Sequence, residues 1–202
     1  MKICFTLDDV LRAKTVQIGK IYKKFINPDI ELDEIEFEDN NYEKIFNFED
    51  KRAWMKFLYT DYVFEIFGEA PVTKKGIDKE FNLWHMNLPD FEEIEGIEIM
   101  FANPFEFNAS IGFTNFFLSK IATRVREYFF PADSSEIWDR CDVLVTADPK
   151  LIREKPNDKI CVKIEMPYNE DLEADYSYEN LSEALNDNAF LKKIAEEHGD
   201  KC

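Results

Sequence analysis

The sequence predicts an α/β fold built on a parallel sheet of five core strands, and three observations carry that expectation. Five short, largely apolar runs occupy residues 2–7, 97–101, 124–130, 142–146 and 160–164. They are not cleanly alternating, as expected of strands covered by helices on both faces of a parallel sheet. Amphipathic helical patterns fill the intervals between the later runs over residues 96–165, which is the rhythm of strand–helix–strand units. Finally, 202 residues that are 45% hydrophobic and 15% aromatic can bury a proper core, so disorder is excluded as the main state.

The elements follow in order. Lys2-Ile3-Cys4-Phe5-Thr6-Leu7 stops at Asp8-Asp9, which reads as a buried strand ending in a polar loop. Residues 10–95 break the rhythm and are expected to form a helical insertion after the first strand. Ile18, Ile21, Tyr22 and Phe25 recur at helical spacing before Asn27-Pro28, and Trp54, Leu58, Tyr62 and Ile66 recur four apart before Gly68. Within the insertion, residues 31–50 carry nine acids and one lysine with several aromatics between them; a linker would hold fewer aromatics, so a docked, irregular segment is expected. This divides the chain into an α/β core, 1–9 and 96–202, and the insertion, 10–95. In the core, the stretch from Asn108 to Ala122 sets Ile111, Phe117, Leu118 and Ile121 on one side of a helix, and a shorter helix opens at Ser134-Ser135 and runs through Ile137 and Trp138. Met166-Pro167-Tyr168-Asn169 reads as a turn after the last strand. Eight acids and no base lie between Lys163 and Lys192, and Asn188 can cap a final helix with Phe190, Leu191 and Ile194 on its apolar side and Gly199 past its end.

Charge narrows the possible partners. A net charge of −17 and a pI near 4.5 oppose binding to DNA, RNA or an anionic membrane, all of which reward clustered Lys and Arg. No stretch approaches the ~20 apolar residues of a spanning helix. The amino-terminal run meets Asp8-Asp9 too soon for the apolar region of a signal peptide, so a protein that is intracellular when made is expected. Cys4, Cys141, Cys161 and Cys202 show no Cys-x-x-Cys spacing, and His85 and His198 lie far from them in sequence; neither a zinc site nor a disulfide framework is expected, only reduced thiols. Nineteen Phe against six Gly suggest AT-rich coding, which concerns the genome and not the fold.

A parallel sheet presents ligands at the carboxyl ends of its strands. Here those ends hold Thr6 and Asp8, Ala102 and Asn103, the stretch from Pro131 to Ser135, Thr146 and Asp148, and Glu165. Phe5-Thr6-Leu7-Asp8-Asp9-Val10-Leu11 resembles the first motif of the haloacid dehalogenase (HAD) superfamily, hydrophobic-Asp-x-Asp-x-Val/Thr, in a group of mostly Mg²⁺-dependent phosphohydrolases. Cys141-Asp142-Val143-Leu144-Val145-Thr146-Ala147-Asp148-Pro149 is similar to the strand and acidic loop of its fourth motif, and Ile164-Glu165-Met166-Pro167-Tyr168-Asn169 to the ending of its deoxynucleotidase-like members. The resemblance runs through the chain in order and implies a HAD-like Rossmannoid sheet with a cap-type insertion after the first strand.

The same resemblance implies where chemistry would sit, and there the pattern departs. Thr6 stands where the family has its nucleophilic, metal-binding Asp, and Asp8 stands at the general acid/base. Ala102 or Asn103 stands where a Ser or Thr binds phosphate. Thr146 and Ala147 replace the acidic pair of the fourth motif, with Asp148 one place on, and no lysine between Lys120 and Lys150 serves the third motif. A neutral hydroxyl at position 6 lacks the charge to hold a metal and has no evident adjacent base. Electrostatic stabilisation is usually the largest catalytic contribution, and losing a nucleophile alone costs on the order of 10⁶-fold in a comparable enzyme.

Each residue also has a plainer role open to it. Asp8 and Asp9 can cap the following helix. Asp148 before Pro149 fits an N-cap with proline at the first helical position. Thr6 can hydrogen-bond within its loop, and Asn103 before Pro104 suits a turn. Arg12, Arg124 and Arg126 are expected to pair within this acidic chain, and His85 to be a partly buried helix or loop residue. Two functions from different classes result. The first is a non-catalytic HAD-like scaffold for protein–protein interaction or assembly, as a homo-oligomer or among the proteins of a tailed-phage particle, with Thr6, Asp8, Asn103, Thr146 and Asp148 as vestiges and no metal or cofactor. The alternative is a Mg²⁺-dependent phosphohydrolase of 5'-nucleotidase type, with Asp8, Asp148 and Thr6 in a rearranged site.

Overall fold

A computed structural model of the chain describes residues 1–32, 45–88, 96–104 and 106–187. The final helix expected from Asn188 through Phe190, Leu191 and Ile194 to Gly199 lies outside the described residues, as do His198, Cys202 and residues 33–44 of the acidic aromatic segment.

All five expected runs are strands of one parallel sheet: β1 Lys2–Thr6, β2 Glu98–Ala102, β3 Glu127–Phe129, β4 Val143–Thr146 and β5 Ile160–Ile164. A sixth strand, β6 Tyr176–Tyr178, pairs in parallel with β5, giving the order β3-β2-β1-β4-β5-β6. β1 is central, with Ile3 opposite Ile99 on one side and Val143 on the other. Thr6 lies level with Ala102 and Thr146 with Lys163, so the register gathers the expected site residues at one end of the sheet. β3 is shorter than its apolar run, and Arg124–Arg126 lead into it without pairing.

The helices are α1 Lys14–Phe25, α2 Lys51–Lys56, α3 Ile77–Asn87, α4 Asn108–Lys120, α5 Ser134–Arg140, α6 Pro149–Arg153 and α7 Leu181–Asn186. Phe5, Phe101 and Val145 pack on one face of the sheet against Phe81, Phe117 and Leu118. Cys4, Met100 and Leu144 pack on the other against Ile137, Trp138 and Leu151. Each such side chain contributes about 1.5–3 kcal/mol when fully buried. Cys4, Cys141 and Cys161 are buried free thiols in the second layer, and burial pushes Cys161 up to about 12.

Between β1 and β2, Ile18, Tyr22, Phe46, Trp54, Phe57 and Phe67 form a separate apolar cluster. The expected run from Trp54 to Gly68 is not one α-helix: after α2 it passes through two π-helical turns, Phe57–Asp61 and Phe64–Gly68. Each widens the turn, as with Tyr62 N–H donating to Phe57 O, and so rotates the buried face. Gly68 ends the second turn where a Cβ would come within 2.9 Å of Phe64. Among the described residues, no helix is long and apolar enough to cross a membrane.

Candidate functional site

The loop after β1 makes the site. Leu7 O accepts from both Leu11 N–H and Arg12 N–H, and Asp9 sits between them at φ 59°, a left-handed conformation that Asp tolerates better than most residues. The resulting knot sends Asp8 and Asp9 in different directions. Asp9 Oδ1 accepts from Thr15 N–H at 3.0 Å in the first turn of α1, and Oδ2 accepts from the Thr15 hydroxyl and from Tyr168 Oη at 2.8 Å. Burial raises the Asp9 pKa, although these donors partly offset it. The cap foreseen for the pair is therefore made by Asp9.

Asp8 is held by cations. Arg12 Nε and Nη2 donate to Asp8 Oδ1 at 2.8 and 2.5 Å, and Lys14 Nζ donates to Oδ2 at 2.6 Å. Burial alone would raise its pKa, but the charges of Arg12 and Lys14 win and bring it down to about 2. The same contact raises Lys14, against the burial that would lower it.

Arg12 is completely buried. Besides Asp8, it donates from Nη2 to Glu106 Oε1 at 2.7 Å and from Nη1 to Thr114 Oγ1 at 2.6 Å and Phe67 O at 3.1 Å. Its guanidinium lies 5.1 and 5.6 Å from the ring centroids of Phe67 and Phe117. All three of its nitrogens donate to protein acceptors, and the intramolecular pairing expected of this arginine joins the β1 loop, the second π-turn, Glu106 and α4. No ion pair is made by Arg124 or Arg126 among the described residues. His85 is a half-buried residue of α3 beside Phe81.

Thr6, Asp8, Asp9, Asn103, Asp148 and Tyr168 line a cavity of about 70 Å³ at the carboxyl ends of β1, β2 and β4. Thr6 Oγ1 donates to Thr146 Oγ1 at 3.1 Å, and Thr146 Oγ1 also accepts from Asp148 N–H at 3.0 Å. Asp148 Oδ1 caps α6, accepting from Lys150 N–H at 2.7 Å and Leu151 N–H at 3.3 Å; burial raises its pKa. Asn103 is more than the turn residue its place before Pro104 suggests. It is buried, and its Nδ2 donates to Asp8 Oδ2 at 3.3 Å and Glu106 Oε1 at 2.6 Å.

The structure thus places four of the five singled-out positions, Thr6, Asp8, Asn103 and Asp148, on one cavity with Thr146 directly behind. Sequence reasoning missed Lys14, Glu106 and Tyr168. One signal was available for Lys14: it opens α1 with no acid in the first turn, an unfavourable place for a base against the helix dipole, so a nearby carboxylate was to be sought.

The donor set does not fit Mg²⁺. Hard cations of this kind are held by carboxylate and carbonyl oxygens, yet both oxygens of Asp8 and of Asp9 already accept from protein donors, Asp148 Oδ1 is taken by the α6 cap, and positions 6 and 146 offer neutral hydroxyls bonded to each other. Among the described residues, no three His, Cys, Asp or Glu converge as a metal site. Phosphate fares no better: three carboxylates line the cavity, and the two nearby cations are engaged by Asp8.

No protein-family model matches the sequence, and no curated protein resembles it significantly. Among solved structures, the chain is similar to a protein of Burkholderia xenovorans LB400 described as a haloacid dehalogenase-like hydrolase, with a TM-score of 0.52 over 93% of this chain and 96% of that one, at 9% identity. The parallel sheet of six strands with its helices is thus a HAD-like Rossmannoid fold. At that identity the likeness is one of fold, and hydrolysis is said of the neighbour.

Proposed function

We propose that this chain is a non-catalytic HAD-like scaffold whose surfaces serve protein–protein interaction or assembly. The observation that carries the reading is the state of Asp8. A residue at the general acid/base position needs a pKa near the working pH, whereas Asp8 is held near 2 with both oxygens engaged by Arg12, Lys14 and Asn103. On the same cavity, the Thr6 hydroxyl donates to Thr146 and, among the described residues, to no carboxylate. The cavity is also well under the ~300–1,000 Å³ typical of small-molecule sites. Exposed Leu83, Phe107 and Phe116, each about half exposed or more, supply apolar surface suited to partners.

The test is turnover. Purified protein with Mg²⁺, offered p-nitrophenyl phosphate and a panel of nucleoside monophosphates, is expected to show no hydrolysis above background. Saturable turnover abolished by Asp8→Asn would overturn the reading.

A further inference from the structure

Beside the cavity, on the far side of Asp9, the surface opens into a groove that the site does not use. One hollow of about 180 Å³ has an apolar floor of Val10, Ala13, Val16, Ile164, Met166 and Leu181. A second, of about 330 Å³, adjoins it and shares Met166 and Glu179, with Glu165, Pro167 and Glu170 completing its lining. The groove therefore runs from the β1 loop and α1, across the end of β5, to the β6–α7 connection.

Its chemistry is one-sided. Glu165, Glu170 and Glu179 are exposed, and their carboxylates make no ion pair or hydrogen bond among the described residues. Among the described residues, no Lys or Arg lines either hollow. The base nearest in sequence to Glu165 and Glu170, Lys163, is buried, and its Nζ is turned onto the carbonyls of Asn169, Glu170 and Leu172, while Lys14, beside Ala13, is engaged by Asp8. An apolar floor under unpaired carboxylates matches a side chain with an aliphatic stem and a cationic head, which buries the one and keeps the other at the rim. Charge complementarity of this kind selects partners and speeds encounter, and the net charge of −17 repels acidic competitors.

We propose that the groove docks a basic segment of a partner protein in which Lys or Arg alternates with aliphatic residues. An aliphatic side chain lies on Val16 and Met166, the lining residues that the fold leaves accessible, and the cations meet Glu165, Glu170 and Glu179. The proposal rests on the scaffold reading and names its partner chemistry.

The experiment uses the full chain and three fluorescein-labelled peptides: one alternating lysine and leucine, one alternating lysine and glycine, and one alternating glutamate and leucine. Anisotropy is read at physiological ionic strength. The lysine–leucine peptide is expected to bind about tenfold more tightly than the lysine–glycine peptide, with no binding of the glutamate–leucine peptide. The double variant E165K/E179K is expected to weaken the first by about tenfold or more, and Val16→Asp to do so by spoiling the floor. A control with the same change in net charge, E136K/D139K on α5, should leave binding within about twofold. Circular dichroism confirms that each variant is folded. No binding of the lysine–leucine peptide, equal binding of the lysine–glycine peptide, or equal losses in the control would overturn the groove proposal, the last by showing a general field effect. Phosphatase turnover in the same preparation bears on the scaffold reading alone, so the two failures are told apart.

Discussion

Replacing Arg12 by Met tests whether the buried ion network holds the site region together. Methionine keeps an unbranched stem between Phe67 and Phe117 but removes every donor. Glu106, whose side chain is 1% exposed, then loses the one cation it pairs with among the described residues, and Phe67 O loses a donor. Removing one partner of a buried ion pair costs about 3–5 kcal/mol because the other charge is left uncompensated, and a lost neutral hydrogen bond adds about 1 kcal/mol. Asp8 softens the loss, since it is 21% exposed and keeps Lys14. A net cost of about 4 kcal/mol is expected, out of the ~5–15 kcal/mol typical of folded domains. At about 2–4 °C per kcal/mol for a chain of this size, the melting temperature falls by roughly 10 °C. Urea unfolding followed by tryptophan fluorescence and circular dichroism measures it, and a double-mutant cycle makes it specific. Glu106→Gln should restore part of the stability in the Arg12→Met background, with a coupling of about 1.5 kcal/mol or more, because it removes the charge that Arg12 no longer balances. A cost under about 1 kcal/mol for Arg12→Met, or strict additivity with Glu106→Gln, would refute the argument.

Two further outcomes follow from the same geometry. The folded pKa of Asp8, about 2, lies below its ordinary 3.8, so its stabilisation is full above 3.8 and is lost as pH falls toward 2. At 1.36 kcal/mol per pH unit this is about 2 kcal/mol, and Asp8→Asn should flatten that part of an acid-unfolding curve. Tyr168→Phe removes a donor to buried Asp9 at 2.8 Å; a loss of about 1–3 kcal/mol is expected, and no measurable change in urea midpoint would count against the Asp9 cap as a structural tie.

What the sequence made legible depended on burial. β1, β4 and β5 are apolar runs because both faces are covered, and Ile3, Leu144 and Val162 are at or below 1% exposure. β6 escaped notice because Tyr176, Ser177 and Tyr178 lie on an edge, half-exposed, after a run of acids that reads as loop. Asp148 was readable as a cap because proline at the first helical position is a local signal. The Asp8 network was not: Lys14 and Arg12 reach Asp8 only because Asp9 turns the chain back through a left-handed conformation, and Glu106 arrives from a loop 94 residues beyond Arg12. Single-residue analogy set Thr6 and Asp8 side by side as candidate site positions but could not show that Lys14, from the first helix, meets Asp8.

The central claim, our proposal that Arg12 and Lys14 occupy Asp8 so that the site no longer holds a metal, is met most directly by thermal unfolding of the wild type in EDTA and in about 5 mM Mg²⁺. A retained site with a dissociation constant of about 50 µM would gain about 2.7 kcal/mol at that concentration, roughly 5–10 °C for a chain of this size. Thr6→Asp, which sets another carboxylate near Asp8 and Asp148, should melt lower than wild type because like charges crowd, and Mg²⁺ should restore only part of that loss. For the wild type, the account predicts the same melting temperature in both buffers. A Mg²⁺-dependent rise of several degrees would contradict it.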